Sequence, residues 1–539
     1  MMVELKFLNE TKLLKMFRRA SALAVARLQW RPIMILKKGW TLSVVGLAMS
    51  ASLSLSQAQH QGESRMTTTL IPGKPVLSLG SFDLPSLNYV VEEYSFSGQA
   101  VSYQAVGTQG VDGRWAVKTD QRAPFATRLV IVRPVDPSKF NGTVVVEWLN
   151  VSAGTDVTPD WSYTHRELIR QGYAYVGVSA QKVGIDGGGM VIAIPGMMPL
   201  KKADPERYAA LNHPGDAFSY DIYTQAARAV RNAHETHLLG PLKPKHVLAT
   251  GESQSAGFLT TYVDAIEPIA NAFDGFLIHS RFGSGAPLEG NYMPNASATA
   301  AKPVRIDGLQ IRGDLKKPVL VFITETDLMF PGGYLSARQP DTDHLRVWEV
   351  AGTAHGDLYV LAVSALDSGS APIETLAKAF TPTNSVMGMT LPQPINAAPQ
   401  HHYVMQAALA SLNQWIVSKE APPHGQRLDV NTSATPQLVL DANGNASGGV
   451  RSPWVDVPTS RLSGLVAGLG QVPRGLADLL GTTEPFHAEV LAKLYPGGKP
   501  EYLGKFSASL KSAVGAGFIL PADEAEIKAL AAYSFPNGQ

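Results

Sequence analysis

The chain has 539 residues, of which 45% are hydrophobic and 17% charged, with 46 Lys plus Arg against 45 Asp plus Glu. This balance excludes a disordered tail, a collagen-like fibre and a strongly basic nucleic-acid binder. Cys is absent altogether, which removes disulfides, thiolate metal sites, iron-sulfur clusters and a Cys nucleophile, so nucleophilic chemistry must use Ser, Thr, Lys or a carboxylate.

Residues 1–58 carry nine Lys/Arg and two Asp/Glu, followed within the segment by an apolar run, Thr41 to Leu55, that ends at Ser56-Gln57-Ala58. A basic lead, a short apolar run and a small-x-small site are the three parts of a cleaved export signal. The 15-residue run falls short of the roughly 20 residues of a permanent spanning helix. The basic lead is long for a signal, and Met34 would make a conventional start. Beyond residue 58 there remain 37 basic and 43 acidic side chains, a formal charge of −6. The expectation is therefore an exported protein, periplasmic or extracellular, with no nucleic-acid partner and no stable membrane insertion after signal cleavage.

From about residue 68 to 135, apolar and polar residues alternate between Gly and Pro, as in Tyr89-Val-Val-Glu-Glu-Tyr-Ser-Phe. This predicts antiparallel strands at a sheet edge. Continuous apolar runs follow at 143–148, 174–178, 246–250, 275–278, 319–323 and 346–350. Runs apolar on both faces belong to parallel strands covered on both sides. Helical spacing over Ser219 to His237 lies between two of them, and such alternation predicts a doubly wound, mostly parallel α/β sheet. The Gly/Pro-rich stretch of about 282–315 reads as a lid-like insertion. A helix around His402 to Lys419, a turn-rich tract near Asp441 to Val457 and a helix at Glu524 to Ser534 decorate the same single domain of residues 59–539, with a C-terminal extension from about 420.

The sharpest local feature is Gly251-Glu252-Ser253-Gln254-Ser255, between an apolar strand and an apolar-periodic helix. This is the setting of a nucleophile elbow, G-x-S-x-G, with Ser255 in the last position. An elbow alone is no better than a Ser that caps a helix, so its partners decide. In this strand–turn–helix arrangement the acid and then the His follow the Ser. Asp327, 74 residues after Ser253, closes the strand that ends Thr324-Glu325-Thr326-Asp327, and His355 follows 28 residues later in Ala351-Gly-Thr-Ala-His. The catalytic assignment is thus Ser253, Asp327 and His355, with Glu325 as the alternative acid. The oxyanion donors expected are the backbone N–H of Gln254 and one from the loop after the strand at 143–148, where Asn150 and Val151 are candidates. Arg281, past another strand end, is a candidate for a substrate carboxylate or for a salt bridge.

Weaker patterns carry less. Asp441-Ala-Asn-Gly-Asn-Ala lacks the Gly and Glu of a calcium loop and reads as a hairpin turn. Gly187-Gly-Gly lacks dinucleotide spacing and reads as a loop bordering the site. His401-His402 reads as a surface or helix-capping pair, so no metal site is expected.

The stretches Val146-Glu-Trp-Leu-Asn-Val-Ser-Ala-Gly, Gly251-Glu-Ser-Gln-Ser-Ala, Thr324-Glu-Thr-Asp, Ala351-Gly-Thr-Ala-His and Gly448-Gly-Val-Arg-Ser-Pro-Trp-Val-Asp-Val-Pro resemble the α/β-hydrolase superfamily. More narrowly, they resemble a bacterial group described as alpha/beta hydrolase domain proteins, from about residue 70 to the end. The resemblance implies hydrolysis of small-molecule carboxylic esters through an acyl-enzyme, with no metal or organic cofactor; it implies no particular substrate and no oligomeric state. An acyltransferase, an amidase or peptidase with the same three residues, and a non-catalytic binding protein on the same scaffold are the rival expectations.

Overall fold

A computed structural model describes residues 66–189, 196–290, 292, 305–466 and 476–535. The expected export signal and the middle of the expected lid-like insertion lie outside these residues. Nine strands form one sheet: β1 (Thr67–Leu70), β2 (Tyr89–Val106), β3 (Ala116–Pro134), β4 (Thr143–Trp148), β5 (Ala174–Val178), β6 (His246–Glu252), β7 (Gly275–His279), β8 (Val319–Thr324) and β9 (Leu345–Val350). Their order is β1-β2-β3-β5-β4-β6-β7-β8-β9. Strands β1 to β3 pair antiparallel, β3 joins β5 antiparallel, and every pair from β5 through β4 to β9 is parallel. This is the α/β-hydrolase fold, with the N-terminal antiparallel strands at one edge as the alternating pattern predicted.

The apolar runs are continuous because each parallel strand feeds two cores. Val144, Val146, Ala249, Ile278 and Val321 face one side, while Val145, Leu248, Leu277 and Leu320 face the other. Of the helices, α1 (Pro159–Arg170), α2 (Ser219–Arg231), α3 (Gln254–Thr261), α4 (Glu325–Met329) and α5 (Gln400–Ser418) bear on the site. On the first side α2 brings Ile222 and Ala226, and α3 brings Phe258. On the second side α1 brings Trp161 and α5 brings Val404, Ala408 and Leu412. A fully buried leucine or phenylalanine contributes about 1.5–3 kcal/mol relative to exposure, so covering both faces supplies the fold's main driving force.

The connections leave a crevice. From β4 the chain crosses outward to β5, then returns to the other side of β4 as β6, so the loops after β4 and β6 diverge at the strands' C-terminal ends. Such a switch point is where doubly wound sheets gather ligand-binding and reactive groups. Fully buried Arg128 of β3 ties the loop after β4 to the antiparallel edge. Its guanidinium pairs with Asp156 at 2.7 Å and Glu93 at 3.3 Å, and Asp156 also accepts from Ser179 Oγ at 2.5 Å.

The chain beyond β9 returns to the same body. The Val450 N–H donates to the Glu349 carbonyl at 2.6 Å and the Ala351 N–H to that of Val450 at 3.0 Å, while Arg170 of α1 pairs with Asp523. The tract at Asp441 is a turn, as expected: Asp441 Oδ1 accepts from the N–H groups of Asn443 and Asn445. His401 and His402 are not at the surface. Both are buried in the first turn of α5, because that turn packs under the sheet rather than starting in solvent. The described ends of the 282–315 stretch are pinned to the body, with the Ala286 N–H on the Gly257 carbonyl and the Gly283 N–H on that of Gly332, both at 2.9 Å, and to each other through the Leu309 N–H on the Gly283 carbonyl.

Candidate active site

Strand β6 ends at Glu252, and α3 begins at Gln254. Between them Ser253 has φ 58° and ψ −115°, a conformation that costs a non-glycine residue about 1–3 kcal/mol and persists only where surroundings enforce it. Close approach of strand and helix does so here. A Cβ on Gly251 would lie 3.3 Å from the backbone of Ser255, and one on Gly257 would lie 2.7 Å from the Tyr292 ring. The departure at Ser255 from the usual glycine is put to use. Its hydroxyl donates to the Glu252 carbonyl at 2.8 Å and accepts from the Glu252 N–H at 3.1 Å, clamping the turn. The Ser253 N–H donates to the His279 carbonyl at 3.0 Å.

Ser253 Oγ lies 2.8 Å from His355 Nε2, and His355 Nδ1 lies 2.6 Å from Asp327 Oδ1. Asp327 is the third residue of α4. Its Oδ2 accepts the Thr324 N–H at 2.8 Å while Thr324 Oγ1 accepts the Asp327 N–H at 3.2 Å, a reciprocal helix cap. The His355 N–H donates to Thr326 Oγ1 at 3.1 Å. Burial pushes the Asp327 carboxyl up, but the His355 charge and the Thr324 N–H outweigh it and hold the group below the usual carboxylate range. His355 is lowered by burial and raised by the charges of Asp327 and Glu252, with a net rise above the ordinary histidine value.

Glu325 stands elsewhere. Strand β8 stops at Thr324 and α4 begins at once, so residues two apart no longer point the same way. Glu325 Oε1 accepts the Gly352 N–H at 2.5 Å and Oε2 the Gly464 N–H at 2.8 Å. Burial drives it up to about 7. It buttresses the loop that carries His355 and makes no contact with the imidazole among the described residues. Gly464, from the C-terminal extension, is packed so tightly that a Cβ there would lie 2.6 Å from that of Glu325.

On the opposite lip of the crevice, the two residues named for the oxyanion differ. The Asn150 N–H is already donated to the Val157 carbonyl at 3.1 Å. The Asn150 side chain instead donates to Glu252, at 3.0 Å to its carbonyl and 3.1 Å to Oε2. The Val151 N–H makes a long 3.4 Å contact to Gln254 Oε1. Gln254 is the first residue of α3, where a backbone N–H has no acceptor within the helix. The Gln254 side chain is held by Gln181, whose Oε1 takes its Nε2–H at 2.8 Å and the Trp148 indole N–H at 3.1 Å. These two backbone N–H groups, of Val151 and Gln254, belong to segments brought together at the lip.

Arg281 is wholly buried. Its Nε donates to the Phe282 carbonyl at 3.1 Å and its NH2 to that of Leu309 at 2.5 Å, and the guanidinium lies over the Tyr334 ring at 5.5 Å. Neither a carboxylate salt bridge among the described residues nor an exposed face is seen for it.

Three features had no sequence signal of their own. Glu252 Oε1 lies 3.4 Å from His355 Nε2, and burial raises this carboxyl to about 7. The Phe282 ring stacks on the His355 imidazole at 5.3 Å. Beneath the site runs a buried polar chain: Asp160 to His279 at 2.8 Å and His279 to His401 at 2.9 Å are hydrogen bonds, while His401 Nδ1 lies 3.2 Å from Asp357 Oδ2 without hydrogen-bond geometry. It ties the start of α1, the end of β7 and the start of α5 to the loop after His355.

A family model described as Alpha/beta hydrolase domain matches residues 56–529. No curated protein matches the chain. Among solved structures, the chain is similar to fungal esterases from Rhizomucor miehei, with 12% identity over 72% of this chain and 94% of that one and a TM-score of 0.28. It is also similar to the cell-wall-degrading esterase LipA from Xanthomonas oryzae, with 13% identity over 53% and 90% and a TM-score of 0.29. An acetyl xylan esterase from Paenibacillus sp. R4 has 14% identity over 58% and 89% and a TM-score of 0.25. Among the described residues, no helix is long and apolar enough to cross a membrane.

Proposed function

Because the chain belongs to the alpha/beta hydrolase domain family, we propose that it is an exported serine hydrolase that cleaves carboxylic esters of small molecules through an acyl-enzyme. The observation that carries this reading is the unbroken chain from Asp327 Oδ1 through His355 to Ser253 Oγ, at 2.6 and 2.8 Å. With Asp327 ionised, the imidazole Nδ1–H donates to it, which leaves the Nε2 lone pair facing the serine hydroxyl.

His355 Nε2 takes the proton of Ser253 as Oγ adds to the ester carbonyl carbon. The oxyanion that forms is stabilised by the N–H groups of Gln254 and Val151, the first aided by the N-terminal end of α3. The intermediate collapses, the bond to the alcohol oxygen breaks, and that oxygen takes the proton from Nε2. Water then repeats the sequence and releases the acid. Reaching the oxyanion requires the Val151 N–H to leave the Gln254 side chain, and its 3.4 Å contact is weak enough to exchange.

The test is intact mass after treatment with a fluorophosphonate, with peptide mapping, followed by a panel of esters. The expected result is one adduct on Ser253, lost together with ester turnover in Ser253→Ala. Retained turnover in that variant, or no adduct on folded wild-type protein, refutes the proposal. Export is tested by the N-terminus of the protein recovered outside the cytoplasm, expected near residue 59.

A further inference from the structure

A second carboxylate stands beside the atom that moves protons in the proposed reaction. Glu252 Oε1 lies 3.4 Å from His355 Nε2 and accepts no hydrogen bond among the described residues. Its other oxygen is occupied by Asn150 Nδ2. The Asn150 amide cannot turn round without loss, because Nδ2 also donates to the Glu252 carbonyl and Oδ1 accepts the Ser152 N–H at 2.8 Å. Glu252 is therefore held with one anchored oxygen and one vacant acceptor aimed at the base. The side chains of Glu252 and His355 keep 8% and 7% of their exposure, so each retains a little water-accessible surface.

Two acceptors 3.4 Å apart can both be reached from one oxygen at ordinary hydrogen-bond distance of about 2.8 Å. Only a nucleophile with two O–H bonds satisfies both at once. Water has two, and an alcohol has one.

Resting on the esterase reading above, we propose that Glu252 and His355 together form the seat of the deacylating water, and that Glu252 selects water over alcohols as the acyl acceptor. One water hydrogen is accepted by His355 Nε2 and the other by Glu252 Oε1, which points an oxygen lone pair towards the acyl carbon. As that oxygen adds to the carbonyl, the first proton passes to Nε2. The bond from the acyl carbon to Ser253 Oγ then breaks, Oγ takes the proton from Nε2, and the acid leaves with the second hydrogen. An alcohol in the same seat gives its single proton to Nε2 and leaves the carboxylate facing an ether-like oxygen without a donor, an unsatisfied contact that disfavours alcoholysis. Glu252 is thus a residue of acceptor specificity.

The experiment measures partition of one acyl-enzyme. Wild type, Glu252→Gln and Glu252→Asp react at about pH 8.5, above the value of about 7 at which the Glu252 carboxyl ionises, with an acetyl ester of a chromogenic phenol in the presence of methanol, and acetic acid and methyl acetate are quantified. Fluorophosphonate labelling of each protein at Ser253 establishes that the site is assembled. In Glu252→Gln the amide oxygen stays on Asn150 and the amide N–H2 faces the seat, a donor in place of an acceptor. The ratio of methyl acetate to acetic acid is expected to rise about tenfold, the scale of a lost charge-assisted hydrogen bond. Glu252→Asp keeps the charge but withdraws the oxygen by one methylene, and the ratio is expected to rise there too. An unchanged ratio in Glu252→Gln with labelling intact overturns the proposal. So does a rise in Glu252→Gln with none in Glu252→Asp, since charge alone would then account for it. If wild type neither labels at Ser253 nor forms acid, the esterase reading fails first and this one falls with it.

Discussion

Replacing Asp327 by Asn tests the acid assignment through a tautomer. The Thr324 N–H, 2.8 Å from Oδ2, must keep an acceptor, so the oxygen of the introduced amide turns to it. The amide N–H2 then faces His355 Nδ1, which in the wild type lies 2.6 Å from a carboxylate oxygen. An N–H2 group donates, which forces Nδ1 to accept and places the imidazole proton on Nε2. In that tautomer Nε2 has no lone pair for the Ser253 proton. The expected loss in kcat/KM is about 10⁴-fold, roughly 5.5 kcal/mol of transition-state stabilisation. Stability should change little, because the helix cap survives through the Thr324 N–H. The paired measurement is Glu325→Gln. It removes no contact to the imidazole, so kcat/KM is expected to stay within about tenfold of wild type. One of the two N–H groups on Glu325, of Gly352 or Gly464, would however face a donor, which costs about 1–3 kcal/mol of stability. Initial rates on an activated ester and denaturation midpoints give both numbers. The reverse pattern, a large catalytic loss in Glu325→Gln and a small one in Asp327→Asn, would refute the reasoning.

The other expectations are shorter. The pH profile of kcat/KM should show an acid limb above pH 6.5, because His355 must be neutral and its net shift is upward. Glu252→Gln should move that limb down by less than about one pH unit, as rate profiles in buffers from pH 5 to 9 would show. Glu325, raised by burial to about 7 from 4.5, favours the fold fully below pH 4.5 and loses that contribution as pH rises through about 7. Asp327, lowered, contributes above pH 3.8 and loses it as pH falls through its own depressed value. Denaturation midpoints from pH 5 to 8 should therefore fall less steeply in Glu325→Gln than in wild type. Gly464→Ala would set a Cβ 2.6 Å from that of Glu325, for an expected destabilisation of about 1–3 kcal/mol and a loss of ester turnover. Ser253→Gly should be inactive yet denature at a higher midpoint, since glycine adopts φ 58° and ψ −115° without the roughly 1–3 kcal/mol strain of a residue bearing a Cβ, a relief larger than glycine's entropic cost of about 0.5–1 kcal/mol.

Local patterns carried much of this protein. The parallel strands stand where continuous apolar runs placed them, because a strand covered on both faces must be apolar at consecutive positions. The antiparallel edge stands where alternation placed it. Ser253 was recognisable because a strained turn between strand and helix demands small neighbours, and those neighbours are contiguous in sequence. The placement of Asp327 and His355 within hydrogen-bond reach of each other and of Ser253 was legible because polar groups collect at strand ends, and strand ends are visible where apolar runs stop.

Tertiary packing decided the rest. Whether Asp327 or Glu325 meets the imidazole depends on β8 giving way to α4 at Thr324, a change of backbone period that leaves no mark on the spacing of two acidic residues. His401 and His402 looked like surface residues because helix starts are usually solvated, but α5 runs under the sheet and buries its first turn. The closeness of Gly464 to Glu325, across 139 residues, follows from the C-terminal extension folding back onto the sheet. Glu252 beside Nε2 is the same case: sequence places it next to Ser253, but only the arrival of the His355 loop and the Asn150 amide from two other strand ends sets it against the imidazole. Contacts between such distant segments are set by how helices and loops fill space over the sheet, and a linear pattern does not encode that packing.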